Sequence, residues 1–407
     1  MRIRGLVFSL IIFAVILAFF LAPKPDTTPS EKSTLIGETE IGVIAPTNDD
    51  LEEYKYLSGL AEEKLNSIYN ESGLNTSFKL SVVSAEGLSA TALEYTQSFH
   101  EAGVDLIVGG GWSSQLWAMR SYVNTRGMIV VSPSSTNPQE PMIQDDAIYR
   151  LTPHDYMYGK IMAYVAYDYR VKRIVILERD DTWAVGVGDW FKDQFEELGG
   201  TVIGRVKYPA ASASGFSEYL DKVQNLIYTQ TADTGVFLLG FSETSAIVSE
   251  LSAYPNLVNV TWFSTNAVAN SLNIDSMPES TSSSIKLISP LPLPIWDEYS
   301  SKVARDYHER FGDDLGFYEA NVYDSCMVLG LSVIEANSRN TKNVEQVLPT
   351  VAGGYDGLTG PCRLDVYGDR IDFRVGLYAI GYDSGLRWVF MGSYQSPSSE
   401  IIWENTH

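Results

Sequence analysis

The chain has 407 residues, 45% of them hydrophobic, enough for a large core and, on length alone, for two domains. Against 29 Lys plus Arg stand 51 Asp plus Glu, a formal charge of -22 that repels phosphate backbones and anionic lipid. This balance argues against nucleic acid as a partner, and the apolar content excludes a disordered chain.

The opening "MRIR" is basic, and Gly5 to Ala22 follow with no charged side chain and only Ser9 as a polar one. The segment addresses the chain to a membrane, and an anchor is favoured over a cleaved signal. The apolar run exceeds the ~7 to 15 residues of a usual signal core, Phe20 and Ala22 depart from the small-x-small cleavage pattern, and Pro23 follows at once. Removal on export is the alternative; in both cases the basic end stays inside and the body lies outside. Residues 1–38 are therefore a signal or anchor helix and linker, with a Pro-containing polar tether from residue 23. The expected location is extracytoplasmic, at the cell surface or secreted. Asn70, Asn75 and Asn259 head N-x-S/T sequons, which suits an exposed outer domain.

Apolar runs of strand length then alternate with helical patterns. "EIGVIAP" precedes a helix over 51–70, where Leu51, Tyr54, Leu57, Ala61, Leu65 and Ile68 recur every three or four residues. "FKLSVVSAE" leads to a helix ending at Gly103, "VDLIVGGG" to one from Ser113 to Arg126, and "MIVVSPSSTNP" closes this βαβαβαβ series. A second series follows "YRLTPHD": a helix through Tyr169, "RIVILERDD", a helix over 184–198, "TVIGRVKYP", a helix over 216–229, "TGVFLLGF", a helix to Tyr254, and "VTWFSTN". Strands apolar on both faces and joined by helical crossovers imply parallel sheets covered on both sides, an α/β fold. The Pro-rich "SIKLISPLPLP" suits an extended crossing segment better than a central strand. Helices follow at 296–311 and 318–337, then the glycine-rich "YDGLTGPCRLDVYGDR", then "VGLYAIGYDSGLRWVFMGSY", a hairpin turning at Asp383-Ser384-Gly385. Cys326 and Cys362 could pair, but nothing local brings them together, and Cys326 fits a helical core position as a buried thiol.

In an open parallel sheet, ligands sit beyond the carboxyl ends of the strands. There "GGGWSSQ" offers close backbone approach and a Ser at a helix start, and "SPSSTNP" offers hydroxyls and free N–H groups. Taken singly these are a helix cap and a turn; together, at neighbouring strand ends, they suit a carboxylate or other compact anion. The second series presents Trp183, Phe241 and Asn266 at facing strand ends, the aromatics as an apolar lid. Catalysis finds little support. The four His residues lack metal-ligand spacing, there is no H-E-x-x-H, G-x-S-x-G, P-loop or dinucleotide fingerprint, and no cofactor is called for. The cluster Glu178, Asp180, Asp181 is expected to be a solvated strand end.

The chain resembles the leucine/isoleucine/valine-binding type of periplasmic substrate-binding protein, the extracellular component of ABC importers. The resemblance covers residues 39–394 and rests on "SPSSTNP" for S-P-a-a-T-N-P, "YEANVYDSC" for Y-x-x-x-x-Y-D, and "DGLTGPCRLDVYGDR" for F-x-G-l-t-G-x-x-x-F-D-x-x-G-d, in family order. It implies the type 1 periplasmic-binding fold, two Rossmann-like lobes with parallel sheets and a three-segment hinge: residues 39–153 with 290–372, and 154–289 with 373–394. It implies that Ser113, Ser134 and Thr136 hold a ligand carboxylate, and that Trp183 and Phe241 close over it. Asn266 falls where amino-acid binders place an acid for the ligand ammonium, a departure that leaves an amide or carboxylic acid open beside an amino acid. The implied partners are a small-molecule ligand and an ABC permease, with a membrane tether through residues 5–22. A tethered ligand sensor with the same pocket, or an extracellular enzyme, are the rival classes.

Overall fold

The computed structural model describes residues 35, 37–71, 76–136, 146–210, 212, 214–227, 233–241, 243–271, 285–293, 298–382, 386–396 and 398–404. The apolar segment 5–22, its tether to residue 34, and the turn 383–385 lie outside these. Among the described residues no helix is long and apolar enough to cross a membrane.

The first lobe is built on β1 (Gly37–Ala45), β2 (Thr76–Ser84), β3 (Leu106–Val108), β4 (Ile129–Ser132) and β5 (Ile148–Arg150), ordered β2-β1-β3-β4-β5 with every neighbour parallel. Successive strand residues point to opposite faces, so Val43, Val108 and Val131 enter one core with the helices Leu51–Glu71 and Phe317–Ala336. Ile44, Ile107 and Val130 enter another with the helix Ser113–Arg126. The helix Thr341–Gly354, not anticipated from the sequence, covers the first core through Val344, Leu348 and Ala352 despite its internal Pro349.

The second lobe carries β6 (Arg173–Asp180), β7 (Thr201–Pro209), β8 (Thr234–Leu239), β9 (Thr261–Phe263) and β10 (Lys286–Leu293). After a two-residue ladder in the first lobe, β11 (Asp356–Gly357) with β12 (Gly360–Pro361), the chain returns with β13 (Arg374–Tyr382), β14 (Leu386–Gln395) and β15 (Glu400–Trp403). The sheet order is β15-β14-β13-β10-β9-β8-β6-β7, parallel from β7 to β10 and antiparallel beyond. The expected hairpin is present as β13 and β14; β15 was not foreseen. The chain passes between the lobes three times, after β5, after β10 and before β13.

The structure corrects two expectations. The Pro-rich segment is no crossing strap but an interior strand. β9 pairs with it only over Lys286 to Ile288, and the Ile288 carbonyl accepts from Ser264 N–H on that side. Because alternate backbone groups share a direction, Pro290 and Pro292 turn their N–H-less nitrogens toward the side β9 has vacated, while β13 remains paired. The acidic cluster is a solvated strand end only at Asp180, which is exposed beside Lys207. Glu178 is wholly buried and takes the Arg205 guanidinium through both oxygens, one contact being 2.9 Å; Asp181 caps the helix Thr182–Glu197 by accepting from Ala184 N–H at 2.9 Å.

Cys326 and Cys362 are free and buried. Burial pushes the Cys362 thiol up to about 12 and raises Cys326 as well. The three motifs that carry the resemblance meet in one buried network beneath the cleft. Asp324 accepts from Leu358 N–H and Thr359 N–H, each at 2.8 Å, and Arg370 donates to the Thr359 and Leu151 carbonyls at 2.7 and 3.1 Å. The Asn321 amide donates to the Pro133 and Leu151 carbonyls, both at 2.6 Å, which ties the "SPSS" loop to the long helix.

Candidate functional site

A cleft of about 460 Å³ opens where the carboxyl ends of the two sheets face each other. From the first lobe it is lined by Tyr54, Gly111, Ser134, Thr136 and Tyr318, and from the second by Phe241, Asn266 and Ala267. The glycine loop makes the first wall possible. Gly110 has φ +64°, and a Cβ on Gly111 would lie 2.7 Å from the Pro46 ring and 2.9 Å from the Ser134 hydroxyl, inside contact distance of both. Ser134 instead donates to the Gly111 carbonyl at 3.0 Å, and Ser132 to that of Gly110 at 2.9 Å, so the loops after β3 and β4 are held side by side.

Of the six residues singled out from the sequence, Ser134, Thr136, Phe241 and Asn266 line the cleft directly. Ser113 stands one position behind them. It does not cap its helix, whose N-cap is Trp112, and its hydroxyl lies 3.3 Å from that of Ser135. Trp183 stacks on Phe241 with centroids 4.5 Å apart and planes at 26°, and Arg179 lies 4.6 Å from the Phe241 centroid. The aromatic pair is thus assembled, with Phe241 37% exposed at the cleft wall.

The residue that sequence reasoning missed is Asp155. It sits at the N-cap position of the helix Tyr156–Asp168 yet makes no capping bond. One carboxylate oxygen instead accepts from the Thr136 hydroxyl at 3.1 Å and from the Trp183 indole N–H at 2.9 Å, joining the two lobes, while the other oxygen has no partner in hydrogen-bond geometry, the Asn266 side chain being near enough to favour the carboxylate without closing a bond to it. Burial pushes its carboxyl up to about 6. The adjacent His154 is no counter-ion, since burial holds its imidazole neutral with a pKa pushed down to about 3. Across the cleft Asn266 donates to the Tyr318 hydroxyl at 3.3 Å, and its buried amide oxygen is left without a partner. Tyr318 was equally unmarked; its only sequence signal is its place in "YEANVYD".

Residues 74–370 match the model of the family described as periplasmic binding protein. The chain belongs to this family. A curated relative, an uncharacterized protein (MJ1266) of Methanocaldococcus jannaschii, is 22% identical over 93% of this chain and 95% of its own. Among solved structures, an ABC transporter substrate-binding protein from Desulfitobacterium hafniense in complex with Leu superposes with a TM-score of 0.67 at 21% identity, covering 86% of this chain and 100% of that one. A solute-binding protein of an ABC transporter from R. palustris in complex with benzoate gives 0.62 at 12% identity, over 91% and 98%. These likenesses establish the fold.

The cleft of this periplasmic binding protein has a distinct polarity. Backbone N–H groups of the first lobe can receive a carboxylate, and the Ser134 and Thr136 hydroxyls can join them by turning their single protons away from Gly111 and Asp155, while the free oxygens of Asp155 and Asn266 require donors. A molecule carrying both an acceptor end and an ammonium satisfies both sets, and a plain carboxylate satisfies one.

Proposed function

We propose that the chain is the extracytoplasmic solute-binding component of an ABC import system and that it captures an α-amino acid in the interlobe cleft. The observation that carries this is the convergence of Thr136 and Trp183, from opposite lobes, on a buried carboxylate whose second oxygen is unpartnered. Asp155 would supply the negative charge that Asn266 lacks. Ser113, Ser134 and Thr136, with the N–H groups of their loops, would hold the ligand carboxylate, and Trp183 with Phe241 would cover its carbon chain. The two lobes, 39–153 with 294–372 and 154–293 with 373–404, bounds moved from the expected 290 and 394 because β10 runs to Leu293 and β15 to Trp403 in the second sheet, would close about the hinge and present the closed form to a permease. Residues 5–22 would tether the protein and raise its concentration beside that permease. Calorimetric titration against amino acids, amides, urea and carboxylic acids tests this. An α-amino acid is expected to bind, and Thr136→Ala to weaken it about tenfold, the loss of one charge-assisted hydrogen bond. Unchanged binding by that variant would remove the site assignment.

A further inference from the structure

The cleft lining also includes Asp50, Glu53 and Glu319, close enough to one another for Asp50 to raise both glutamate carboxyls and Glu53 that of Glu319, so that with Asp155 it presents four carboxylates and, among the described lining residues, no Lys, Arg or His. None of Asp50, Glu53 and Glu319 is in a described ion pair with a cation. Asp50 spends one oxygen on Thr47, accepting from its N–H at 3.0 Å and its hydroxyl at 2.7 Å. Glu53 and Glu319 come from two helices, Leu51–Glu71 and Phe317–Ala336, that pack together in the same core. Both carboxyls are raised above the ordinary range, first by burial and further by neighbouring acids. Among the described residues no group of acids is arranged to hold a metal ion, so a coordinated cation does not account for the cluster. A second observation in the same cleft also asks for N–H donors: the Asn266 side chain is 6% exposed and its amide oxygen has no partner.

We propose that the ligand is an amino acid with a positively charged side chain, its α-ammonium at Asp155 and Asn266 and its side-chain cation beside Asp50, Glu53 and Glu319. This rests on the amino-acid assignment above and narrows it. A neutral aliphatic side chain in that position would desolvate carboxylates without pairing them, a cost the cationic side chain avoids. The preference is therefore electrostatic in origin and is weakened by salt at its exposed margin.

Calorimetry on the purified full chain tests it, with L-lysine, L-arginine, L-ornithine, L-leucine and putrescine as probes. The basic amino acids are expected to bind at least tenfold more tightly than L-leucine. The double variant Glu53→Gln/Glu319→Gln is expected to shrink the lysine-over-leucine ratio at least tenfold, with a thermal midpoint no lower than that of the parent. Leucine binding as tightly as lysine, or a ratio untouched by the variant, overturns the inference while leaving the amino-acid assignment standing. If no α-amino acid binds, that assignment falls, and putrescine decides the acidic cluster alone: binding that is lost in the double variant supports a cation site there, and no binding overturns it.

Discussion

Replacing Asp155 by Asn is expected to strengthen the fold and weaken the site, opposite signs that a merely structural residue would not produce. Holding this carboxyl at about 6 against an ordinary 3.8 means that ionising it at pH 7 costs the folded state about 3 kcal/mol. The sign follows from the raised value: the unfolded chain releases the proton first, so stability falls as pH rises from about 4 to about 6 and the penalty is complete above that. Asn keeps one carbonyl oxygen to accept from Thr136 and Trp183 and carries no charge. Asp155→Asn should therefore unfold in urea with a free energy higher by up to about 3 kcal/mol at pH 7, and without the parent's slope between pH 4 and 6. Binding moves the other way. A hydrogen bond to a charged group contributes roughly 1.5 to 3 kcal/mol and a neutral one roughly 0.5 to 1.5, so an ammonium ligand should lose about tenfold in affinity. In the parent protein the ionised fraction of such a carboxyl falls from about 0.9 at pH 7 to about 0.1 at pH 5, a further tenfold loss that the Asn variant should not show. Chemical denaturation and calorimetry across this range check both arms. A variant that binds as tightly as the parent, or unfolds more easily, would refute the assignment of Asp155 as the ammonium partner.

Arg370→Met should destabilise the protein by about 3 to 5 kcal/mol in urea unfolding, because it leaves the buried Asp324 carboxylate without its nearby cation and strands the Thr359 carbonyl; a change below about 1 kcal/mol would mean that the network beneath the cleft is not a unit. Cys326 and Cys362 should resist iodoacetamide in the native state and both alkylate in guanidinium without reductant, read by mass spectrometry. A disulfide-linked peptide would contradict their separation in the core.

The lobes were legible because their signals are local. Apolar runs of four to eight residues alternate with helical spacing, and the helix from Ser113 to Arg126 falls where its pattern places it. Ser134, Thr136, Phe241 and Asn266 could be placed at the cleft because they follow strand ends, and in such a sheet the carboxyl ends of the strands border the crevice. What escaped depends on contacts remote in sequence. Asp155 reads as an ordinary residue before a helix, and only the meeting of Thr136, 19 positions earlier, with Trp183, 28 positions later, marks it out in the cleft. The Pro-rich strand was misjudged because proline's exclusion from sheet interiors holds for a nitrogen facing a paired neighbour, and β9 ends before that condition applies. Glu178 was misjudged because its partner Arg205 lies on the adjacent strand, and a pairing of that kind leaves no mark in the spacing of one run.

The hydrogen bonds that span the cleft bear on how closure can be controlled. Thr136 to Asp155 and Asn266 to Tyr318 each join the lobes, and each contributes only about 0.5 to 1.5 kcal/mol net, somewhat more where the carboxylate is the acceptor. On the proposed hinge mechanism, these two bonds would favour the closed form by only a few kcal/mol, a bias that a ligand's own contacts can match. The same groups carry the free oxygens of Asp155 and Asn266, both on the second lobe, so a ligand already gripped by the first lobe would reach them only when the lobes are near each other. A ligand that fills them gains interactions in the closed form that the open form cannot offer, and this difference, not its total affinity, sets how far the population shifts. A solute held by the first lobe alone through Ser134 and Thr136 would bind without closing the protein, which gives the cleft a means of refusing small carboxylates even when they enter it.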